Sequence, residues 1–339
     1  SWSDINEVEG RHLLLLDRMN AIQVEPERQL VRVGGGAVMS DINRALGERR
    51  MAFDNIGSIV TQTAAGYTGT GTHGSGTPLL STFIEGMRLI DGEGGVHALS
   101  ATEDPDLFSA ARVHLGCLGV ITEITFRCTE ALDIEERREI VPFDRALSDL
   151  GEYLRANDYV KLWWLPYTDV LQAYLFNRTD AERTRSTLTE VMEEKGMSTW
   201  SFSALLAMTR AFPPITPTVT RSLQRLYFTP RRRVNRSDRL FNIGKMIPIH
   251  NEAEYAVPRE RAAEAIDGVA RIVRSAPPEY RVNFPMEVRF VPSDDIPMSP
   301  AFGRDSCYVG AYVASRKWTG PYHRDFESLM HDFDGRPHW

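Results

Sequence analysis

The stretch TAAGYTGTGTHGSG, residues 63–76, constrains the chain more than any other. It places five glycines and four threonines in fourteen residues, with one histidine among them. Glycine loses the most conformational freedom on folding and packs no side chain, so such a segment reads as a loop rather than the interior of a regular element. It is backbone that must pass close to a phosphate, a ring system or another part of the chain. Within it, Gly69-x-Gly71-x-x-Gly74 matches the dinucleotide fingerprint. Asp91 lies at about the spacing, roughly 20 residues, at which an acidic side chain would hold a ribose hydroxyl.

The context of that fingerprint does not support a dinucleotide loop. Such a loop needs a buried strand before it and a helix after it whose N-terminus faces the pyrophosphate. The preceding TQTAAGYT has no buried apolar run. The following SGTPLLSTFIEG contains Pro78 and closes on Gly86, which leaves no room for a crossover helix before the next strand. A lone fingerprint is weak evidence, and this one is accidental.

A chain of 339 residues exceeds one ordinary core, so two domains are expected. The texture changes near residue 130. Before it, β-like runs alternate with glycine-rich turns: QLVRVGGG (29–36), GMRLIDGEGGVHALS (86–100) and GVITEITFRC (119–128). In the last, Val120, Thr122, Ile124 and Phe126 alternate with Ile121, Glu123, Thr125 and Arg127, the period of a half-buried strand. Residues 37–50 predict an amphipathic helix with Val38, Ile42, Ala45 and Leu46 on one face and Ser40 or Asp41 as cap. Residues 104–115 predict another, capped by Asp104 with Pro105 at its first position.

After residue 130, VKLWWLPYTDVLQAYLFNRT (160–179) reads as two aromatic-rich strands around a turn. Residues 180–195 read as a charged helix, and 197–230 as a mixture of helix and irregular structure. The run RLYFTPRRRVNRSDR (225–239) is basic, which reads as a solvated face or a partner patch. EYAVPRERAAEAIDGVARIVRS (254–275) gives a strand and then a helix starting at Pro258. VNFPMEVRFVP, SCYVGAYVAS and the terminal segment are strand candidates, so this half is expected to be an antiparallel sheet with helices.

The net charge of −7 argues against a nucleic-acid partner. No apolar run approaches the roughly 20 residues that span a bilayer, and no signal-peptide pattern opens the sequence. The first residue is Ser1, so the numbering is expected to open inside a longer chain. Cys117, Cys128 and Cys307 lack metal or redox spacing and read as reduced, buried thiols, which suggests a cytoplasmic setting.

Seven segments taken together resemble the FAD-dependent sugar-lactone and alditol oxidases of the vanillyl-alcohol oxidase superfamily. They are NIGSIVTQTAAGYTGTGTHGSG (55–76), HLGCLGVITEITFRC (114–128), KLWWLPYTD…NRT (161–179), NEAEYAVP (251–258), FPMEVRF (284–290), RDSCY (304–308) and GRPHW (335–339). Each alone is weak, but their common order along nearly the whole chain is strong. The resemblance implies a two-domain α+β flavoprotein. Its FAD-binding domain would cover 1–130 and its cap, or substrate domain, 131–325, while residues 326–339 return to the flavin. It also places a pyrophosphate loop and a flavin-bonding histidine just before Ser1-Trp2-Ser3, and a Gly-Lys pair just after His338-Trp339, outside these residues.

The same resemblance implies that FAD is lined by Gly57, Ser58, Thr63, Gly66, Thr70, Thr72, His73, Gly74, Gly119, Val120 and Ile121. Chemically, glycines let backbone N–H groups approach a ring, and threonine hydroxyls can line a ribityl–pyrophosphate chain. Read alone, these residues equally suit tight turns, a hydrogen-bonded core histidine and plain sheet packing. Gly57 carries a mechanistic hint: in the family a glycine there leaves O2 access to the flavin, whereas an alanine obstructs it, so Gly57 favours an oxidase that releases hydrogen peroxide.

The substrate end rests on Glu287-x-Arg289. On a strand, residues i and i+2 share a face, so both side chains would enter one pocket. Arg289 can stabilise negative charge on a substrate oxygen, and Glu287 can hold neighbouring hydroxyls or orient the arginine. A surface ion pair of little consequence is the other reading. His338 is a candidate ligand of substrate or flavin, and Asp294-Asp295 reads as a turn, not a metal site. No metal is implied.

Two function classes follow. One is an FAD-dependent oxidase of an aldonolactone, or of an alditol, or a dehydrogenase with another acceptor. The other is a non-redox fragment that binds sugar lactones and holds no FAD. The implied ligand is a small sugar lactone or polyol, with membrane-surface contact possible through 231–239 but not indicated.

Overall fold

A computed structural model describes residues 12–54, 56–184, 197–241, 250–314 and 320–339. Two antiparallel sheets organise it. In the first, β1 (Ile22–Glu25), β2 (Leu30–Gly34), β3 (Ile84–Ile90), β4 (Val96–Ser100) and β5 (Val120–Arg127) lie in the order β1-β2-β5-β3-β4. Every pair is antiparallel, so the parallel sheet of an NAD domain is absent among the described residues. Val31, Val33, Ile121, Ile124 and Phe126 form its core with Ile42 and Leu46 of α1 (Met39–Glu48).

Local chemistry explains where the expected elements hold and where they shift. Asp104 caps α3 (Pro105–Ala111) by accepting from the Leu107 N–H, with Pro105 at the first position as predicted. α1 has no side-chain cap; Ser40 and Asp41 lie inside it. Its first N–H groups are satisfied by backbone instead: Met39 N–H donates to Gln62 O and Ser40 N–H to Val60 O. The simple alternation in 120–127 also breaks. Leu89 faces Ile121 whereas Arg88 faces Glu123, a β-bulge at Thr122, so Ile121 shares the core with Ile124 and Phe126. Asp91 accepts the Glu93 and Gly95 N–H groups in the β3–β4 turn, a structural role that removes it as a ribose ligand.

The second sheet has eight strands. They are β6 (Asp133–Pro142), β7 (Tyr159–Trp164), β8 (Val170–Arg178), β9 (Arg231–Arg236), β10 (Asn251–Pro258), β11 (Met286–Val291), β12 (Ser306–Val313) and β13 (Arg336–Pro337), ordered β9-β6-β8-β7-β11-β12-β10-β13. One face carries Leu162, Trp164, Ala173, Leu175, Val288, Val309 and Ala311. Against it pack α4 (Phe143–Ser148), α5 (Leu150–Ala156) and two later helices described below. The strand period of two sends the intervening residues, including Lys161, Trp163, Tyr174, Glu254, Glu287, Arg289, Tyr308 and Tyr312, to the opposite face. That polar face receives the glycine-rich loop.

Several expectations for this half are corrected. Residues 197–230 are mostly helix: α6 (Met197–Ala211) and α7 (Thr216–Tyr227). Residues 181–184 are not helical, and the rest of the predicted charged helix, 185–195, lies outside the described residues. Pro258 ends β10, and a 3-10 turn, Arg259–Arg261, precedes α8 (Ala262–Ser275). The terminal segment is chiefly a helix, α9 (Pro321–Asp332), followed by β13. β13 joins β10 at the sheet edge, and the His338 ring lies edge-on to His73 of the glycine-rich loop at 5.0 Å. The basic run forms β9 beside β6, where Arg232 pairs with Glu135 and Arg233 with buried Glu136; acidic partners neutralise it. Asp294 accepts from Ile296 N–H and from Ser299 in a turn, as expected. Cys128 and Cys307 are buried, but Cys117 is exposed, because it sits in the turn after α3 instead of in a strand. No described helix is long and apolar enough to cross a membrane.

Candidate active site

The loop reaches the polar face in a defined way. Thr63 caps the short helix α2 (Ala64–Gly69) by accepting from the Gly66 N–H. The fingerprint glycines end and follow this helix, the reverse of the order a dinucleotide loop needs. The loop then inserts beside the second sheet where the β7–β11 ladder ends at the pair Lys161–Arg289. Ser75 fills the next position: its hydroxyl donates to Val160 O and accepts from Phe290 N–H at 3.0 Å. Gly76 N–H donates to Phe290 O at 2.7 Å. Gly76 has φ +85°, and a Cβ there would lie 2.3 Å from Asp158 O, so no other residue fits without moving backbone.

This insertion carries His73 against β10. Its Nδ1 lies 2.9 Å from Gly74 O, and its Nε2 lies 3.2 Å from Glu254 Oε2. A carbonyl oxygen only accepts, so Nδ1 carries a proton; the second contact is then a hydrogen bond when Nε2 carries one too. Burial alone would raise the Glu254 carboxyl, but His73, with Arg289 and His338, outweighs it and holds it at about 2.

Arg289 and Glu287 share the face as the spacing predicts, with Nη2 to Oε2 at 2.7 Å and both side chains largely buried. The surface ion-pair reading is excluded. Lys161 Nζ lies 3.5 Å from the other Glu287 oxygen and against the rings of Trp163 and Tyr174. Burial would raise the Glu287 carboxyl, but Arg289 and Lys161 hold it at about 2. Burial pulls the Lys161 ammonium below its ordinary range, with Glu287 opposing. Burial also disfavours the Arg289 charge, but Glu287 and Glu254 outweigh it and keep the guanidinium protonated. The buried cluster thus sets Arg289 and Lys161 against Glu287, and His73 against Glu254. His338 completes it, with Nε2 4.0 Å from Glu254 Oε2 and its ring edge-on to His73 at 5.0 Å.

The expected flavin residues fall on three segments that converge. Gly57 N–H donates to the Tyr67 hydroxyl at 2.5 Å, which ties 57–58 to α2. Burial pushes Tyr67 up to about 12, with the Gly57 N–H and Arg289 opposing. A Cβ on Gly57 would lie 3.0 Å from His73 O and Thr72 Cγ2, so that direction is filled by protein and is not open space. Thr63, Gly66, Thr70 and Thr72 form a half-exposed ridge, with Thr70 donating to Gly66 O at 2.9 Å and 3.4 Å from Thr72 Oγ1. Leu115 N–H donates to Gly69 O, bringing the approach to β5 alongside. There Gly119 has φ +134° with its Cβ direction 2.2 Å from Ile90 O, Val120 is half-buried, and the Ile121 side chain belongs to the core. Ser58 and Gly74 are half-exposed on the same segments.

The donor set suits a flavin dinucleotide. The threonine ridge offers hydroxyls and glycine backbone with no carboxylate among them, as a pyrophosphate and ribityl chain require. Where the ridge meets the charged cluster, buried polar atoms lack protein partners: Tyr308 Oη, His338 Nδ1, Glu254 Oε1 and His114 Nε2. Such atoms cost free energy unless something else satisfies them.

A model of the D-arabinono-1,4-lactone oxidase family matches residues 124–339, and a FAD binding domain model matches residues 1–100. The chain belongs to the D-arabinono-1,4-lactone oxidase family. It is 30% identical to L-gulonolactone oxidase of Scyliorhinus torazame over 97% of this chain and 76% of that protein. It is also 30% identical to L-gulono-1,4-lactone dehydrogenase of Mycobacterium tuberculosis over 100% of this chain and 78% of that protein. Among solved structures, cholesterol oxidase of Brevibacterium sterolicum superposes with TM-score 0.77 at 13% identity, covering 96% of this chain and 73% of that one. The fold is the two-domain α+β flavoprotein fold of the vanillyl-alcohol oxidase type, and the family member is an FAD-dependent oxidoreductase.

Sequence reasoning missed Lys161, Glu254, Tyr67 and the inserted Ser75-Gly76. A signal for Lys161 was present: it is a charged residue within an otherwise apolar and aromatic strand. What cannot be read from the chain is that the strands of Lys161 and Glu254 present them on one face of one sheet.

Proposed function

We propose that this protein oxidises a secondary alcohol of a sugar-derived aldonolactone, of the L-gulono- or D-arabinono-1,4-lactone type, with FAD as the electron acceptor. The observation that carries the reading is the buried cluster of Arg289, Lys161 and His73 with Glu287 and Glu254 beside the glycine-threonine ridge. Arg289, held in place by Glu287, stabilises the negative charge that develops on the substrate oxygen. Glu287 also accepts from neighbouring hydroxyls, and His338 borders the substrate. FAD, when bound, takes the hydrogen and both electrons of the C–H bond as hydride. Gly57, Ser58, Thr63, Gly66, Thr70, Thr72, His73, Gly74 and 119–121 hold the cofactor through backbone and hydroxyl contacts. Residues 1–130 act as the FAD-binding unit and 131–325 as the substrate unit, with 326–339 closing the site. The reading takes O2 as the acceptor that reoxidises the flavin on the family resemblance at Gly57 alone, since the Cβ direction there is filled by Thr72, Tyr67 and the His73 carbonyl; the relatives carry both oxidase and dehydrogenase names.

The test is direct. Purified protein supplied with FAD is expected to be yellow and to bleach without oxygen on addition of L-gulono-1,4-lactone. Readmitted air is expected to restore the colour with release of hydrogen peroxide. A protein that retains no flavin while still binding the lactone is a non-redox binder, and the reading fails.

A further inference from the structure

Oxidation of CH–OH to C=O releases a hydride and a proton, and the proton needs an acceptor on the protein. The cluster supplies few. Arg289 is permanently charged. Glu287 accepts from Arg289 through Oε2 at 2.7 Å, and its Oε1, 3.5 Å from Lys161 and without a hydrogen bond, is a weak base because both cations hold the carboxyl at about 2. His73 is engaged at both ring nitrogens, by Gly74 O at 2.9 Å and Glu254 Oε2 at 3.2 Å. Tyr67, Tyr308 and Tyr312 are buried phenols that keep their protons.

His338 differs. Its backbone N–H donates to Glu254 O at 2.9 Å, so the pairing of β13 with β10 fixes its position beside the glutamate. Its Nε2 faces Glu254 Oε2 at 4.0 Å, which favours the tautomer with the proton on Nε2. The lone pair then resides on Nδ1, which is buried and has no hydrogen-bond partner among the described residues.

We propose that His338 Nδ1 accepts the substrate hydroxyl proton, with Glu254 as the positioning residue that sets its tautomer. This rests on the function proposed above. In the step, the O–H bond breaks and its electron pair becomes the second C–O bond, the C–H pair leaves as hydride to the flavin, and the proton adds to Nδ1. The imidazolium so formed faces the Glu254 carboxylate, the arrangement by which a buried acid steadies a charged histidine. Burial holds the resting ring at about 4, with Glu254 opposing and His73 and Arg289 reinforcing, so it is neutral at ordinary pH and free to accept. The groups facing it are Glu254 from β10, His73 from the glycine loop, Arg289 from β11 and the Tyr308 ring from β12.

The experiment combines histidine nitrogen NMR with the rate of flavin reduction by L-gulono-1,4-lactone, both followed against pH. In the unmodified protein the His338 ring is expected as the Nε2–H tautomer with an acidic midpoint. The reduction rate should fall about tenfold per pH unit below that same midpoint. His338→Gln should reduce flavin about 10²–10⁴-fold more slowly and lose that acid limb, while its FAD content stays unchanged. Glu254→Gln should lose the tautomer preference. A neutral ring protonated on Nδ1 would overturn the assignment without any variant being needed. So would an acid limb that survives in His338→Gln. A stoichiometric divalent metal in the purified protein would do the same, because His73, Glu254 and His338 present atoms within 4.8 Å of one another. Failure of the unmodified protein to reduce flavin with any lactone would instead refute the function; a refuted His338 would leave that function standing.

Discussion

Replacing Arg289 by alanine tests the charge logic of the site at its centre. The guanidinium stands 2.7 Å from Glu287 and contributes to holding both Glu287 and Glu254 ionised. Its loss removes a buried positive charge and, on the proposed function, the donor fork at the substrate oxygen. Losing one preorganised donor to a developing oxyanion costs about 3–4 kcal/mol, a fall of roughly 10²–10³ in rate. Removing one partner of a buried pair also costs about 3–5 kcal/mol of stability, because Glu287 is left with Lys161 alone. Rapid mixing of FAD-loaded protein with L-gulono-1,4-lactone in the absence of oxygen reads the first effect, and thermal melting reads the second. Arg289→Lys should recover part of the rate, since it restores the charge but not the planar fork. If Arg289→Ala keeps its flavin and is reduced at the unmodified rate, the alcohol is oxidised elsewhere and the reasoning fails.

Other outcomes follow from the same geometry. Gly57→Ala should slow reoxidation by air more than reduction by lactone, and should lower stability by about 1–3 kcal/mol because its Cβ presses on Thr72 and the His73 carbonyl; equal slowing of both half-reactions in rapid mixing would remove Gly57 from the oxygen path. Gly76→Ala should lower the melting temperature and the FAD content together, since a Cβ 2.3 Å from Asp158 O displaces the loop that seats His73; an unchanged melt would show that the insertion is adaptable. In acid, Glu254 and Glu287, held at about 2 against an ordinary 4.5, stabilise the fold above pH 4.5 and lose that contribution, about 3 kcal/mol each, as the pH falls towards 2. His338, held by burial at about 4 against an ordinary 6.5, destabilises the fold in the same direction from pH 6.5 downward. Melting temperatures from pH 7 to pH 3 that stay flat would contradict both.

Local chemistry in the sequence determined a good deal. Asp104-Pro105 dictated the start of α3, the period of two in MEVRF put Glu287 and Arg289 on one face, and the glycines and threonines of 63–76 announced a close approach, although residues 64–69 form the helix α2 and not a loop. The same text also rejected the dinucleotide reading, because a loop with no strand before it and no helix after it cannot aim a helix terminus at a phosphate. These are decisions made by neighbouring residues, where sterics and hydrogen bonds reach only a few positions. The partners of those residues were decided elsewhere. His73 meets Glu254 across 181 positions of sequence because Ser75 and Gly76 occupy the place where the β7–β11 ladder stops. Lys161 meets Glu287 because β7 lies beside β11, and Arg232 and Arg233 meet Glu135 and Glu136 because β9 lies beside β6. Strand alternation says that a side chain faces away from the core, but not what it faces. That is set by the order of the strands and by what docks on them, which depend on the whole chain folding at once.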